Sequence, residues 1–206
     1  MSGIEIFIHF ALGFATSFVG SIPFGSINLA VIRISIAQNS NAAFRFILGA
    51  TFAEFFYSFI SIHFSAFLLA IPKLEFYIKI TSIPIFLIMG GMYFFAKRKE
   101  ESAPSESGNR NYFLQGLTVG FLNPLQIPFW LAYGTYFLSV GWIKENFILL
   151  NIFIAGIIFG SSVLLLIIAK SATHFREKFS INEGRTNKIT GGVFVLLALF
   201  QVIVVL

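Results

Sequence analysis

The sequence predicts an all-α integral membrane protein: six transmembrane helices forming two inverted three-helix repeats, with helices 1 and 4 broken at prolines. Three observations lead there. First, 57% of the 206 residues are hydrophobic and only 11% are charged, too little charge to cover a soluble domain of this size. Second, the apolar residues fall in blocks of roughly 18 or more. That is the length a helix rising about 1.5 Å per residue needs to cross a hydrocarbon core of about 30 Å. Transmembrane β-strands would instead alternate apolar and polar residues over about ten positions, and the blocks do not alternate. Third, a polar stretch near the middle leaves three blocks on either side, and an odd number per half makes the halves enter the bilayer in opposite directions.

In chain order, span 1 is Glu5–Ile32. Its only charge before Arg33 is Glu5, so it lacks the basic start and small-residue cleavage site of a signal peptide and is expected to stay in the membrane. Span 2, Ala43–Ala70, follows the turn-forming run Gln38-Asn39-Ser40-Asn41, and span 3, Phe76–Ala96, follows Ile71-Pro72-Lys73. Glu100–Asn111 (EESAPSESGNRN) has the composition of a flexible linker. It separates a first repeat, residues 1–99, from a second, residues 112–206. Span 4 is Tyr112–Leu138 and span 5 is Asn146–Ala169, with Val140-Gly141-Trp142 between them. Span 6, Lys188–Leu206, follows the polar stretch from Ser171 to Asn187.

Basic residues set the orientation. Arg33, Arg45, Lys97, Arg98, Lys99, Arg110, Lys170, Arg176, Lys178, Arg185 and Lys188 lie on one side of this layout; only Lys73, Lys79 and Lys144 lie on the other. Positive residues stay inside, which puts the linker in the cytoplasm and both termini outside. The same bias accounts for the net charge of +5 without any nucleic-acid partner. Cysteine is absent, so disulfides and thiolate metal sites are excluded.

The prolines locate a candidate site. Pro23 cannot donate to the carbonyl of Val19 and crowds it, and Pro124 and Pro128 free the carbonyls of Gly120 and Pro124 in the same way. Backbone groups left open in lipid are costly, so each break must face protein, a cavity or a ligand. Counted from the cytoplasmic ends of their spans, both breaks fall roughly 15 Å deep, near the midplane. A matched pair of broken helices at that depth is where inverted-repeat transporters hold their substrates. Polar side chains gather there: Ser21, Ser26 and Asn28 in span 1, Asn123 and Gln126 in span 4. Their amides and hydroxyls suit a zwitterion's ammonium and carboxylate, and suit the freed carbonyls equally.

Glu54 is the one acidic residue deep inside a span, and an intramembrane carboxylate is a functional hypothesis by default. On a helix turning about 100° per residue, Thr51, Ser58, Ser61 and Ser65 lie within about 60° of it, with Tyr57 on the flank. Span 2 is therefore expected to turn one polar face inward. Glu54 would serve as a counter-charge or a protonatable coupling group, or else as a protonated structural acid. His63 stands nine residues on, on the opposite face, while His9 lies near the outer end of span 1 and His174 in a loop; none is assigned a role. Metal-like spacing of His or carboxylates is missing from the spans. Gly90-Gly91, Gly156-x-x-x-Gly160 and Gly191-Gly192 are read as packing positions, which also permit a homodimer. The halves echo one another, since Gly49 precedes Glu54 by five residues and Gly156 precedes Ser161 by five.

Four stretches resemble the LysE/RhtB-type translocators, a family of bacterial amino-acid exporters. They are GSIPFGSINLAVIRISIAQ (20–38) with FRFILGATFAEFFY (44–57), GGMYFFAKRK (90–99), FLQGLTVGFLNPLQIPFW (113–130) and NKITGGVFVLLALFQ (187–201). Together they follow the family's order over nearly the whole chain. Two departures mark a divergent member: the family's Pro-Gly-Pro reads Pro23-Phe24-Gly25, and its first cytoplasmic glycine is replaced near Asn39. The resemblance implies a proton-driven exporter of amino acids or related solutes in the bacterial inner membrane, with no cofactor. The competing expectations are a non-transporting scaffold and an intramembrane enzyme acting on a lipid-linked substrate. The enzyme would need an acid–base or nucleophile cluster that scattered Ser and His do not make.

Overall fold

The computed structural model describes residues 2–22, 25–69, 111–123 and 126–174, with isolated positions between 80 and 95 and between 188 and 202. Six helices are found among the described residues: α1 Gly3–Gly20, α2 Ser26–Ala37, α3 Ser40–Leu69, α4 Tyr112–Phe121, α5 Gln126–Ser139 and α6 Phe147–His174. Three stretches, in α1, α3 and α6, are long and apolar enough to cross a membrane: Gly3–Gly20, Ser40–Leu68 and Phe147–Ala172. Pro23, Pro124, the 100–110 part of the linker and most of spans 3 and 6 lie outside the described residues.

Local chemistry explains where the helices begin. Ser2 and Glu5 form a reciprocal capping box, with the Glu5 amide donating to Ser2 Oγ at 3.2 Å and the Ser2 amide to Glu5 Oε2 at 2.7 Å. Asparagines open three others. Asn39 accepts from the Ala42 amide (2.8 Å), Asn111 from Leu114 (3.2 Å), and Asn146 from Ile148 (3.1 Å) and Leu149 (3.2 Å). Asn39 thus starts α3.

Two helices run further than the apolar blocks suggested. α2 continues past Arg33 to Ala37, and α6 past Lys170 to His174. A basic residue marks where hydrocarbon ends, not where a helix must stop, and both extensions bury residues such as Ile34, Ser35 and Ala172.

α1 packs on α6, α4 and α5 pack on α3, α3 and α6 pack together, and α2 lies against α6, α3 and α4. Two apolar cores result. One joins Val31 and Ile32 to Phe46, Ile47 and Leu165; the other joins Ile62 and Trp130 to Phe153, Ile154 and Ile157. α3 shows the inversion expected of a lipid-facing helix. Phe44, Phe52, Phe55, Phe56, Phe64 and Phe67 are exposed, whereas Thr51, Glu54, Ser58, Ser61 and Ser65 are buried. The inward polar face expected of span 2 is present.

Glycines bring two helix pairs into backbone contact. A methyl on Gly13 of α1 would run into the Phe153 carbonyl and Ile157 amide of α6; one on Gly156 would run into the Phe10 carbonyl and Phe14 amide of α1. Where α3 crosses α4, Gly116 faces the Phe46 carbonyl and Ala50 amide, and Gly49 faces the Phe113 carbonyl and Leu117 amide. In each case the residues struck stand three before and one after the opposing glycine, so the two crossings share one register. Gly90 and Gly191 also face each other backbone to backbone. These are the close approaches that small residues allow.

Candidate functional site

The α1–α6 crossing carries hydroxyls one turn beyond its glycines, Ser17 four residues after Gly13 and Ser161 five after Gly156. Both are buried, and both reach the carboxyl of Glu54 on α3. Ser17 Oγ donates to Glu54 Oε1 over a long 3.4 Å, and Ser161 completes the set from the other side. Ser161 Oγ also lies 3.2 Å from the Ile158 carbonyl. Having one proton, it either donates to a charged Glu54, or donates to Ile158 and accepts from a protonated one. The site thus accommodates both forms of the carboxyl. It joins three helices, α1, α3 and α6.

Further along α3 the polar face supports the second half of the chain. Tyr57 Oη donates to the Phe121 carbonyl at 2.6 Å, at the last residue of α4. Ser61 Oγ lies 3.4 Å from the Ile127 carbonyl, and Ser65 Oγ donates to Ser61 (2.8 Å) with the Leu131 carbonyl at 3.2 Å. Asn28 of α2 does for α1 what Tyr57 does for α4: its Nδ2 donates to the carbonyl of Ser21, just past the end of α1, at 2.8 Å. Helix ends leave carbonyls without partners, and these two side chains supply them.

The ends meet. Gly20, the last residue of α1, lies under the ring of Phe129 in the first turn of α5, where a methyl group would collide with the ring. Phe129 in turn packs on Trp130 and Tyr133, ring centroids 4.8 Å apart in each case. The end of α1 therefore adjoins the start of α5, beside the polar face of α3.

A family profile settles what kind of chain this is: that of the LysE type translocators matches residues 18–204. The chain belongs to the LysE type translocator family. No curated protein and no solved structure matches it. Membership in a translocator family, with helices apolar enough to span a bilayer, makes this a membrane-embedded multi-pass protein and points to an exporter of small solutes.

Measured against that membership, the residues singled out from sequence fall into groups. Glu54 sits in the Ser17–Ser161 cluster. Tyr57, Asn28 and Ser21 are engaged at the helix ends. Gln126 begins α5 and is buried, with no partner for its Oε1 among the described residues. Asn123 is half-buried between α4 and α5, its amide donating to the Gly120 carbonyl at 3.2 Å, and Ser26 is exposed at the start of α2. Pro23 and Pro124 lie outside the described residues. His63 does not approach Glu54; it lies between the rings of Phe59 (4.5 Å) and Phe147 (5.2 Å). The sequence reading missed Ser17 and Phe129, and gave Ser161 only as an echo of Glu54.

Proposed function

We propose that the protein exports amino acids or closely related solutes across the bacterial inner membrane by alternating access, coupled to protons. In this reading the chain makes six spans in two inverted repeats joined by the cytoplasmic 100–111 linker, with both termini outside. Substrate binds between the interruptions at Pro23 and Pro124, lined by Ser21, Ser26, Asn28, Tyr57, Asn123 and Gln126. Glu54 acts as counter-charge to the substrate's ammonium or as the proton carrier. One observation carries it: the end of α1 meets the start of α5 at Gly20 and Phe129, beside a helix whose buried face holds Glu54. The shared register of the two glycine crossings supports the internal repeat. The buried Oε1 of Gln126, an acceptor with no described partner, suits a donor such as an ammonium group.

Proteoliposome counterflow with a panel of amino acids tests this directly. At least one should exchange, and Glu54→Gln should lower its exchange tenfold or more or abolish its pH dependence. Failure of the whole panel removes the substrate class. Unchanged rate and pH dependence in Glu54→Gln removes the role of the carboxyl.

A further inference from the structure

Away from Glu54, the first two turns of α1 are tied to the connection between α5 and α6. His9 is buried, 2% exposed, and both ring nitrogens are occupied. Nδ1 lies 2.7 Å from the carbonyl of Glu5, and Nε2 lies 2.9 Å from the backbone nitrogen of Lys144. A carbonyl can only accept and an amide N–H can only donate, so the ring must carry its proton on Nδ1 and present a bare Nε2. Beside it, Lys144 Nζ pairs with Glu5 Oε1 at 2.6 Å, while Glu5 Oε2 receives the Ser2 amide. The amides of Trp142 and Ile143 both turn back to the Phe137 carbonyl. The next amide, that of Lys144, goes to His9.

We propose that His9 is a proton-operated clasp, fastening the start of α1 to the 140–146 connection when neutral and releasing it when protonated. Histidine is the side chain whose ordinary charge change falls between about pH 5 and 8. A second ring proton would put an N–H against the Lys144 N–H at the present 2.9 Å, so this hydrogen bond cannot survive. The charged groups around the ring do not offset that loss equally. Glu5 on the same helix favours the cation but already holds Lys144 Nζ; from the connection come Lys144, which opposes it, and Glu145. α6 brings no titratable side chain before Lys170. Once the clasp opens, α1 keeps its hold on α6 through the crossing around Gly13 and on the connection through the Glu5–Lys144 ion pair, while the Lys144 amide loses its partner. The clasp does not depend on what the protein carries.

Hydrogen exchange of the wild-type protein in lipid nanodiscs reads it, at pH 8 and pH 5 with rates normalised to intrinsic exchange. The Lys144 amide, resolved from overlapping peptides, should be protected at pH 8 and lose tenfold or more of that protection at pH 5. In His9→Phe the Lys144 amide should be unprotected at both, while Trp142 and Ile143 keep their bonds to Phe137. Lys144→Ala keeps the backbone N–H and the imidazole, so it should keep the transition while losing the ion pair. Equal wild-type protection at both pH values overturns the proposal, as does a transition persisting in His9→Phe. If His9→Phe does not fold, wild type and Lys144→Ala still decide. Loss of the transition in Lys144→Ala assigns it to the Glu5 carboxylate and overturns the clasp.

Discussion

The two glycine crossings have the same packing and different chemistry. Gly13 against Gly156 and Gly116 against Gly49 strike equivalent backbone atoms on their partners. One turn on, however, Ser17 stands at the α1 position and Gly120 at the matching α4 position. Likewise Ser161 stands at the α6 position and Glu54 at the matching α3 position. Glu54 and Ser161, equivalent in register, are also neighbours. Backbone geometry is duplicated while the carboxyl occurs once, at a point both crossings reach. Close packing needs small residues on both sides of a contact, so the two crossings can share them; a buried acid is costly in a membrane, and of the matching positions only Glu54 carries one.

The largest effect expected is on folding, and it tests whether the crossings are equivalent. Gly49→Ala and Gly156→Ala each push a methyl into a backbone carbonyl, which cannot move aside as a side chain can. Each should destabilise by about 1–3 kcal/mol or more, read as a fall in melting temperature of the purified protein in detergent. The two falls should be similar. A large loss in one with none in the other would show that the shared register is geometric only.

Next comes the chemical difference. If Glu54 and Ser161 occupy equivalent positions around one centre, the carboxyl can be moved across it. Glu54→Ser should reduce transport of the solute identified by counterflow tenfold or more, and Glu54→Ser with Ser161→Glu should recover a measurable part. A well-folded double variant as inactive as the single one would mean that the carboxyl must come from α3.

Much of this was legible beforehand, because periodicity carries it. The turn of about 100° per residue was enough to gather Thr51, Glu54, Ser58, Ser61 and Ser65 on one face, and all are buried. Ser17 was not legible. A lone serine in an apolar helix looks the same whether it bonds its own backbone or another helix, until the Gly13 crossing turns it toward Glu54. Phe129 was hidden for the opposite reason, as one of 28 phenylalanines, most of which suit lipid as well as protein. Asn28 was recognised as a polar group near a break, and Tyr57 as the flank of the polar face of span 2. Which of them would be engaged with carbonyls depended on the distance between helices, and sequence does not encode that locally.

The smallest effects separate side chains that complete a helix end from those that merely reinforce a helix. Tyr57 supplies the Phe121 carbonyl at the terminus of α4, where no later turn of that helix can. Ser61 approaches the Ile127 carbonyl, which lies within α5 and is open to the amide four residues on. Tyr57→Phe removes one hydroxyl, leaves the ring contact with Phe121 (5.6 Å) in place, and takes away the only side-chain donor to that carbonyl among the described residues. It should cost about 1–3 kcal/mol. Ser61→Ala removes a longer, secondary bond and should cost about 0.6 kcal/mol or less, the usual size for an interhelical hydrogen bond in a membrane. Thermal unfolding of the two variants side by side measures the difference. Equal losses would mean that α5 depends on the α3 serines as much as α4 depends on Tyr57. The polar face of α3 would then be a continuous structural seam, leaving Glu54 as its one chemically distinct member.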